Sequence, residues 1–182
     1  MSDYGGRQAW QEELYDLLRS NQVDLFCYVP DGGHKTLINK SIEDPDVISV
    51  PLTTEEEGVA MCAGCHLGGT KSVLLMQSSG VGNCVNMFAL LKNGQFPFVT
   101  LITMRGEFGE MNPWQIPMGQ GVPPVVEAMG MQCLRAETPS EVTETVQAAL
   151  NMAYKSNQAV AVLLTQKLIL SLIHISEPTS PY

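Results

Sequence analysis

Two hydrophobic periods alternate along the chain. Residues 8–19, QAWQEELYDLLR, repeat apolar positions at helical spacing and put Trp10, Leu14, Leu17 and Leu18 on one face. The next apolar run, DLFCYV at 24–29, is short and nearly continuous and stops at Pro30-Asp31-Gly32-Gly33, which predicts a buried strand. The same reading predicts a helix over about 34–43, a strand at 47–52, and a helix opened by a Glu-rich segment and closed by Gly68-Gly69. A strand at 72–77, a tight turn at Ser78–Asn83, a helix over 84–92 and a strand at 98–104 follow. Residues 105–124 read as a long irregular segment; PVVEAMG, QCLRA at 132–136, a helix over 139–155 with Thr138 as N-cap, and AVAVLLTQ complete the series.

Continuous apolar strands, each followed by a helix, imply βα crossovers and a sheet covered on both faces. The expected fold class is therefore α/β, a three-layer α/β/α arrangement around a mainly parallel sheet of six strands. In such open sheets ligands bind beyond the C-terminal ends of the strands. The informative residues are those just after each strand: Pro30–His34, Thr53–Glu57, Ser78–Asn83 and Arg105–Gln120.

Composition narrows the partners. A chain of 182 residues, 45% apolar and 16% charged, suits one ordinary domain with a buried core. Nineteen acids against ten Lys and Arg give a formal charge of −9 with no basic patch, which argues against nucleic acid and anionic membrane. The N-terminus lacks the pattern of a secretory signal and no apolar run approaches spanning length, so a cytoplasmic protein is expected. Cys27, Cys62, Cys65, Cys84 and Cys133, an odd number in apolar surroundings, read as reduced, mostly buried thiols. The last stretch, LSLIHISEPTSPY at 170–182, resembles translated sequencing-adaptor read-through; the domain is expected to span 1–169, and His174 is given no role.

The segment TEEEGVAMCAGCHLGG holds two candidate chemistries. Thr53 and Thr54 stand three residues before Glu56 and Glu57, so the acids fit a capping box, and the helix dipole favours them in a first turn. The other reading is functional: three adjacent carboxylates repel one another, and a carboxylate among apolar neighbours at a strand's end suits proton transfer. On a helix Glu56 shares a face with Val59, Ala60 and Ala63 and would point inward to a ligand. Cys62-Ala63-Gly64-Cys65-His66 has haem-attachment spacing. It lies deep within a predicted helix, too far from the N-terminus for a redox dithiol and without further ligands for zinc, and reads as helix-packing residues. Ser78–Asn83 is a glycine turn and not a Walker loop, because no Gly-Lys-Ser/Thr follows. Arg105–Gln120, carrying Glu107, Glu110 and Trp114 among Gly and Pro, is too long for a neutral connector.

In combination, strand-PDGG, strand-TTEEEG-helix and strand-QSSGVGN-helix resemble the pyrimidine-binding domain of thiamine diphosphate-dependent decarboxylases. The likeness covers about residues 8–169 and is strongest to the sulfopyruvate decarboxylase alpha subunit and the N-terminal part of phosphonopyruvate decarboxylase. It implies that a glutamate opening the helix after the second strand hydrogen-bonds N1′ of the cofactor's aminopyrimidine. Aligning CAGCHLGG with the family segment puts that role on Glu56, with Glu55 and Glu57 as the alternatives one position away. Gly80, Val81, Gly82 and Asn83 match the family turn that packs on the pyrimidine, and Pro30, Asp31 and Gly32 match its first loop beside the reacting centre. His34, Lys35 and Arg105 are the available cations for a substrate carrying sulfonate or phosphonate, Arg105 offering the best clamp.

The family's Gly-Asp-Gly segment with a downstream Asn, which holds Mg²⁺ and the diphosphate, does not occur in this sequence. The resemblance therefore implies half of a site, completed by a diphosphate-binding beta subunit or C-terminal domain in a hetero-oligomer or dimer. The implied reaction is decarboxylation of a 3-sulfo- or 3-phosphono-substituted pyruvate to the aldehyde and CO₂, with thiamine diphosphate as cofactor. An acetohydroxyacid-type carboligase half and a non-catalytic α/β partner module are the alternatives.

Overall fold

The computed structural model describes residues 6–173. Six strands, β1 (Val23–Tyr28), β2 (Ile48–Pro51), β3 (Lys71–Gln77), β4 (Phe98–Thr103), β5 (Gln132–Ala136) and β6 (Ala159–Leu164), form one sheet in the order β2-β1-β3-β4-β6-β5. Every neighbouring pair is parallel. The connections carry α1 (Gly6–Ser20), α2 (Lys35–Glu43), α3 (Glu55–Leu67), α4 (Ser78–Cys84), α5 (Phe88–Gly94), α6 (Ile116–Ala128), α7 (Pro139–Ser156) and α8 (Gln166–Ile173).

The strands read as unbroken apolar runs because both faces of the sheet are buried. Val99 and Leu101 of β4, with Val160, Val162 and Leu164 of β6, pack in one layer with Trp10, Leu14 and Leu18 of α1 and Val142, Val146 and Leu150 of α7. The alternate residues, Phe98, Ile102, Ala161 and Leu163, share the other layer with Val59 and Cys62 of α3, Phe88 of α5, and Val122 and Val126 of α6. Truncating a fully buried member such as Leu101 to Ala costs about 2–5 kcal/mol, the transfer term plus the cavity left behind.

From β1 the chain steps to β2 on one side and then crosses to β3 on the other. The crossover directions therefore diverge at β1 and β3, and the crevice beyond their C-terminal ends is where this topology places a ligand.

Two connections differ from the sequence-based expectation. Ser78–Asn83 is not a turn: β3 ends at Gln77 and α4 begins at Ser78 with no loop between them. Gly80 and Gly82 lower helix propensity, but Val81 and Cys84 are fully buried and tertiary packing outweighs that cost. The predicted helix over 84–92 is correspondingly displaced to Phe88–Gly94. The second half of the supposed irregular segment is α6. Pro117 occupies its first turn, where no N–H is needed. Pro123 and Pro124 remove two intrahelical donors. The helix persists because Gly119, Val122 and Val126 form a buried face, and Gly119 lies so close to the Arg105 carbonyl that a Cβ would overlap it.

α8 continues to Ile173, and residues 174–182, with His174, lie outside the described residues. Among the described residues no helix is long and apolar enough to cross a membrane.

Candidate active site

A cleft of about 150 Å³ opens at the crevice between β1 and β3. Val29, Pro30 and Asp31 line it from the end of β1, Gln77 from the end of β3, Ser79 from α4 and Glu55 from the first turn of α3.

The three adjacent acids separate once α3 forms, since successive helical residues point about 100° apart. Glu57 accepts the Thr53 N–H at 2.9 Å and so serves the helix start, while the N-cap Thr54 makes no side-chain bond. Glu55 shares the inner face of α3 with Val59 and Cys62 and is 8% exposed. Glu56 lies on the neighbouring side, half-buried, with Oε2 buried and unpartnered. Ala60, expected beside it on an inward face, is exposed.

Glu55 is seated by α4. Asn83 Nδ2 donates to Glu55 Oε2 at 2.9 Å. Gly80 lies beneath the carboxylate so closely that a Cβ there would overlap Glu55 Oε1 and its carbon. Glycine is required here for that close approach. Among the described residues no donor reaches Oε1. A nearly buried carboxylate at a helix N-terminus, with one oxygen tied and the other left for a ligand, suits a group presenting an N–H or a protonated ring nitrogen.

Asp31 lines the same cleft from the end of β1. Its Oδ2 accepts the Thr103 hydroxyl at 2.7 Å and the Gly33 N–H at 3.2 Å, and its Oδ1 accepts Gln77 Nε2 at 3.1 Å. Gln77 Oε1 in turn accepts the Ser79 hydroxyl at 2.9 Å. The chain Thr103–Asp31–Gln77–Ser79 fixes the second carboxylate in the cleft.

The other residues selected from sequence fall in different places. Pro30 lines the cleft, whereas Gly32 is exposed in the 3₁₀ turn Gly32–His34 and does not line it. Val81 is fully buried in the core and Gly82 faces Met118 of α6. His34 is not at the rim. It is fully buried beneath the sheet's end, its Nε2 lies 3.3 Å from the Met76 carbonyl and 3.1 Å from that of Leu101, and burial pushes its pKa down. Lys35 is exposed at the start of α2.

Arg105 is committed elsewhere. Its Nε and Nη2 each donate to Glu110 at 2.7 Å, which raises the guanidinium pKa, and its backbone N–H donates to Ser78 Oγ at 3.1 Å. Glu110, with a side chain 2% exposed, also accepts Gly106 N, Asn112 N and Gln166 Nε2. Hydrogen bonding from Arg105 holds it far below the usual carboxylate range.

Sequence reasoning did not single out Val29 or Gln77, which line this cleft, or Thr103, which braces Asp31. Gln77 had a signal, a polar residue ending an otherwise apolar strand. The cysteine run of α3 is packing material: Cys62 is buried with its sulfur 3.6 Å from that of Cys27, and the His66 ring meets Phe96 edge-on.

Comparison with known proteins agrees with this architecture. The chain is 36% identical over 151 residues to sulfopyruvate decarboxylase subunit alpha of Methanocaldococcus jannaschii, covering 82% of this chain and 89% of that protein. It is 40% identical over 89 residues to phosphonopyruvate decarboxylase of Streptomyces viridochromogenes, covering 48% of this chain and 22% of that longer protein. A solved structure described as a thiamin diphosphate-dependent enzyme of Mycobacterium smegmatis superposes with a TM-score of 0.69 at 14% identity, over 88% of this chain and 31% of the other. No family model matches the chain. On identity and coverage, the chain belongs to the sulfopyruvate decarboxylase alpha-subunit family.

Proposed function

We propose that this chain is the pyrimidine-binding alpha half of a thiamine diphosphate-dependent decarboxylase. Its substrate is a 3-sulfo- or 3-phosphono-substituted pyruvate, and its products are the aldehyde and CO₂. The observation that carries the reading is Glu55, nearly buried at the start of α3 and held by Asn83 above Gly80.

The donor set fits the pyrimidine end of the cofactor. Glu55, Asp31, Gln77 and Ser79 offer acceptors and donors suited to a neutral nitrogen heterocycle with an amino group, and among the described residues no cation lines the cleft. A diphosphate or sulfonate there would meet Asp31 and Glu55 without compensation. The diphosphate and Mg²⁺ are therefore assigned to a partner chain or domain. When bound, thiamine diphosphate supplies the electron sink for the departing carboxylate.

Glu55 holds a proton on the pyrimidine ring through its untied Oε1 and sets that ring's protonation state. Asn83 fixes the carboxylate's orientation, and Gly80 leaves room for it. Asp31, braced by Thr103 and Gln77, stands ready to exchange a proton with the substrate. Of the cations chosen from sequence, Arg105 and His34 are engaged within the fold, which leaves exposed Lys35 and the partner to meet the sulfonate or phosphonate. Glu55 takes the role assigned from sequence to Glu56, its alternative one position away.

The test is product formation from sulfopyruvate. The assembly of this chain with its diphosphate-binding partner should release CO₂ and the corresponding aldehyde only when thiamine diphosphate and Mg²⁺ are present. Turnover by this chain alone would refute the half-site reading, and an acetohydroxy acid product would favour carboligation.

A further inference from the structure

We infer that a cavity at the opposite end of the sheet from the Glu55 cleft binds a small zwitterion, an ammonium and a carboxylate on a compact apolar body, as in an aliphatic amino acid. The inference goes beyond the decarboxylase reading and does not depend on it. The cavity, of about 280 Å³, lies where the chain enters the strands: Gln132 and Ala159, the first residues of β5 and β6, form part of its wall. The cleft lies beyond the other strand ends. Six residues of β6, at about 3.3 Å each, separate the two ends of the sheet by roughly 20 Å.

Three helix ends converge on this cavity. Gln95 is the C-cap of α5, Met129 of α6 and Asn157 of α7, and all three line it. The last carbonyls of a helix lack intrahelical partners, and that end bears partial negative charge. Gln158 adds a further acceptor. It lines the cavity, and its Oε1 is buried with no hydrogen-bond partner. A buried oxygen without a donor is costly, and rotation about the soft last torsion of Gln158 turns it toward a donor seated in the cavity. Converging acceptors of this kind select a positive group with several N–H donors, an ammonium.

One cation stands beside them. Lys92, in the last turn of α5, folds across Gly130 instead of pointing away: a Cβ there would stand 2.8, 3.0 and 2.9 Å from Lys92 Cδ, Cε and Nζ. Gly130 has φ 83°, which glycine adopts without strain. Among the described residues the Lys92 ammonium has no ion pair and no hydrogen bond, and no Asp or Glu lines the cavity. An unpaired ammonium on a wall free of carboxylates suits the carboxylate of a ligand. A simple cation would be repelled by Lys92 and a simple anion by the helix ends, whereas a zwitterion satisfies both.

Size and lining complete the description. Leu91, Met129 and Met131 supply apolar wall, so the rest of the ligand is hydrocarbon. The volume falls just below the range of about 300–1,000 Å³ usual for small-molecule sites, which restricts the occupant to a compact molecule.

The experiment is calorimetric titration of the full chain with L-leucine as probe. Isocaproate, which lacks the amine, and isoamylamine, which lacks the carboxylate, are the comparators. L-Leucine should bind once per chain with Kd below about 1 mM, and each comparator at least about tenfold more weakly. Lys92→Met should abolish the preference over isoamylamine, and Gln158→Leu the preference over isocaproate. Thermal unfolding of Lys92→Met should match wild type because the side chain is exposed, and Gln158→Leu should be no less stable because it removes an unpartnered buried oxygen.

No saturable binding up to about 20 mM, by calorimetry and by ligand-detected NMR, leaves the cavity to water and overturns the proposal. Equal affinity for isocaproate, or L-leucine binding unchanged in both variants, also overturns it. Glu55→Gln should bind L-leucine as wild type does. Loss of that binding would place the amino acid in the cleft and overturn the proposal, whereas the turnover of Glu55→Gln bears only on the role given to Glu55.

Discussion

The first turn of α3 and the segment after β4 both place glutamates beyond the end of a strand, and they use them in opposite ways. Glu110 is saturated: five donors surround it, its side chain is 2% exposed, and its charge is cancelled by Arg105. Glu55 takes one amide hydrogen bond and keeps its other oxygen facing Gly80. A carboxylate whose acceptor sites are filled from its own fold is scaffold; one that keeps an acceptor site open in a cleft is available for chemistry. Residue type and strand-end position are the same in the two regions. The count of donors around each carboxylate separates them.

The distinction predicts a crossed pattern of effects. Apart from replacing Glu55 itself, the largest should come from Gly80→Ala, because the added Cβ drives into the Glu55 carboxylate; a shift of this kind lowers turnover of the assembled enzyme about 10²-fold. Equal losses of activity and of urea midpoint would instead make Gly80 a packing residue. Glu110→Ala should do the reverse. Leaving Arg105 and two backbone N–H groups without their acceptor should cost about 1–3 kcal/mol, read as a lower urea midpoint, with turnover per folded assembly little changed.

pH gives the same region a second test. The folded state lowers the Glu110 pKa, so its contribution is complete above the ordinary glutamate value of about 4.3 and is lost as pH falls below that value. Denaturation curves of wild type and Glu110→Gln should therefore converge in acid. Asn83→Ala should lower turnover about tenfold by freeing the Glu55 carboxylate to rotate, without moving the unfolding temperature. The smallest effect belongs to His34. Burial lowers its pKa in the fold, so the unfolded chain binds the extra proton first, and stability falls as pH drops through the ordinary histidine value of about 6.5. His34→Gln should reduce that dependence when denaturation is compared at about pH 7.5 and about pH 5.5.

Much of the fold was legible because buried parallel strands announce themselves. FVTLIT and AVAVLL have no polar face to disguise them, and they form β4 and β6. α6 was hidden by composition: prolines argued for a loop, while the buried spacing of Gly119, Val122 and Val126 carried the helix. The site was legible as far as the acid run at the start of α3. Sequence places the three glutamates at a helix start, but one position turns a side chain by about 100°, and only the docking of α3 against α4 brings Glu55 to the cleft. His34 and Arg105 were unreadable for a related reason. Both follow strands, yet a 3₁₀ turn tucks one under the sheet and an acid five residues on engages the other.

The most direct test replaces Glu55 and Glu56 separately by Gln in the assembled enzyme and measures sulfopyruvate turnover at saturating thiamine diphosphate. The account predicts a loss of about 10²–10⁴ for Glu55→Gln and a change within about threefold for Glu56→Gln, with assembly intact in both. Loss of turnover in Glu56→Gln with Glu55→Gln active would contradict it.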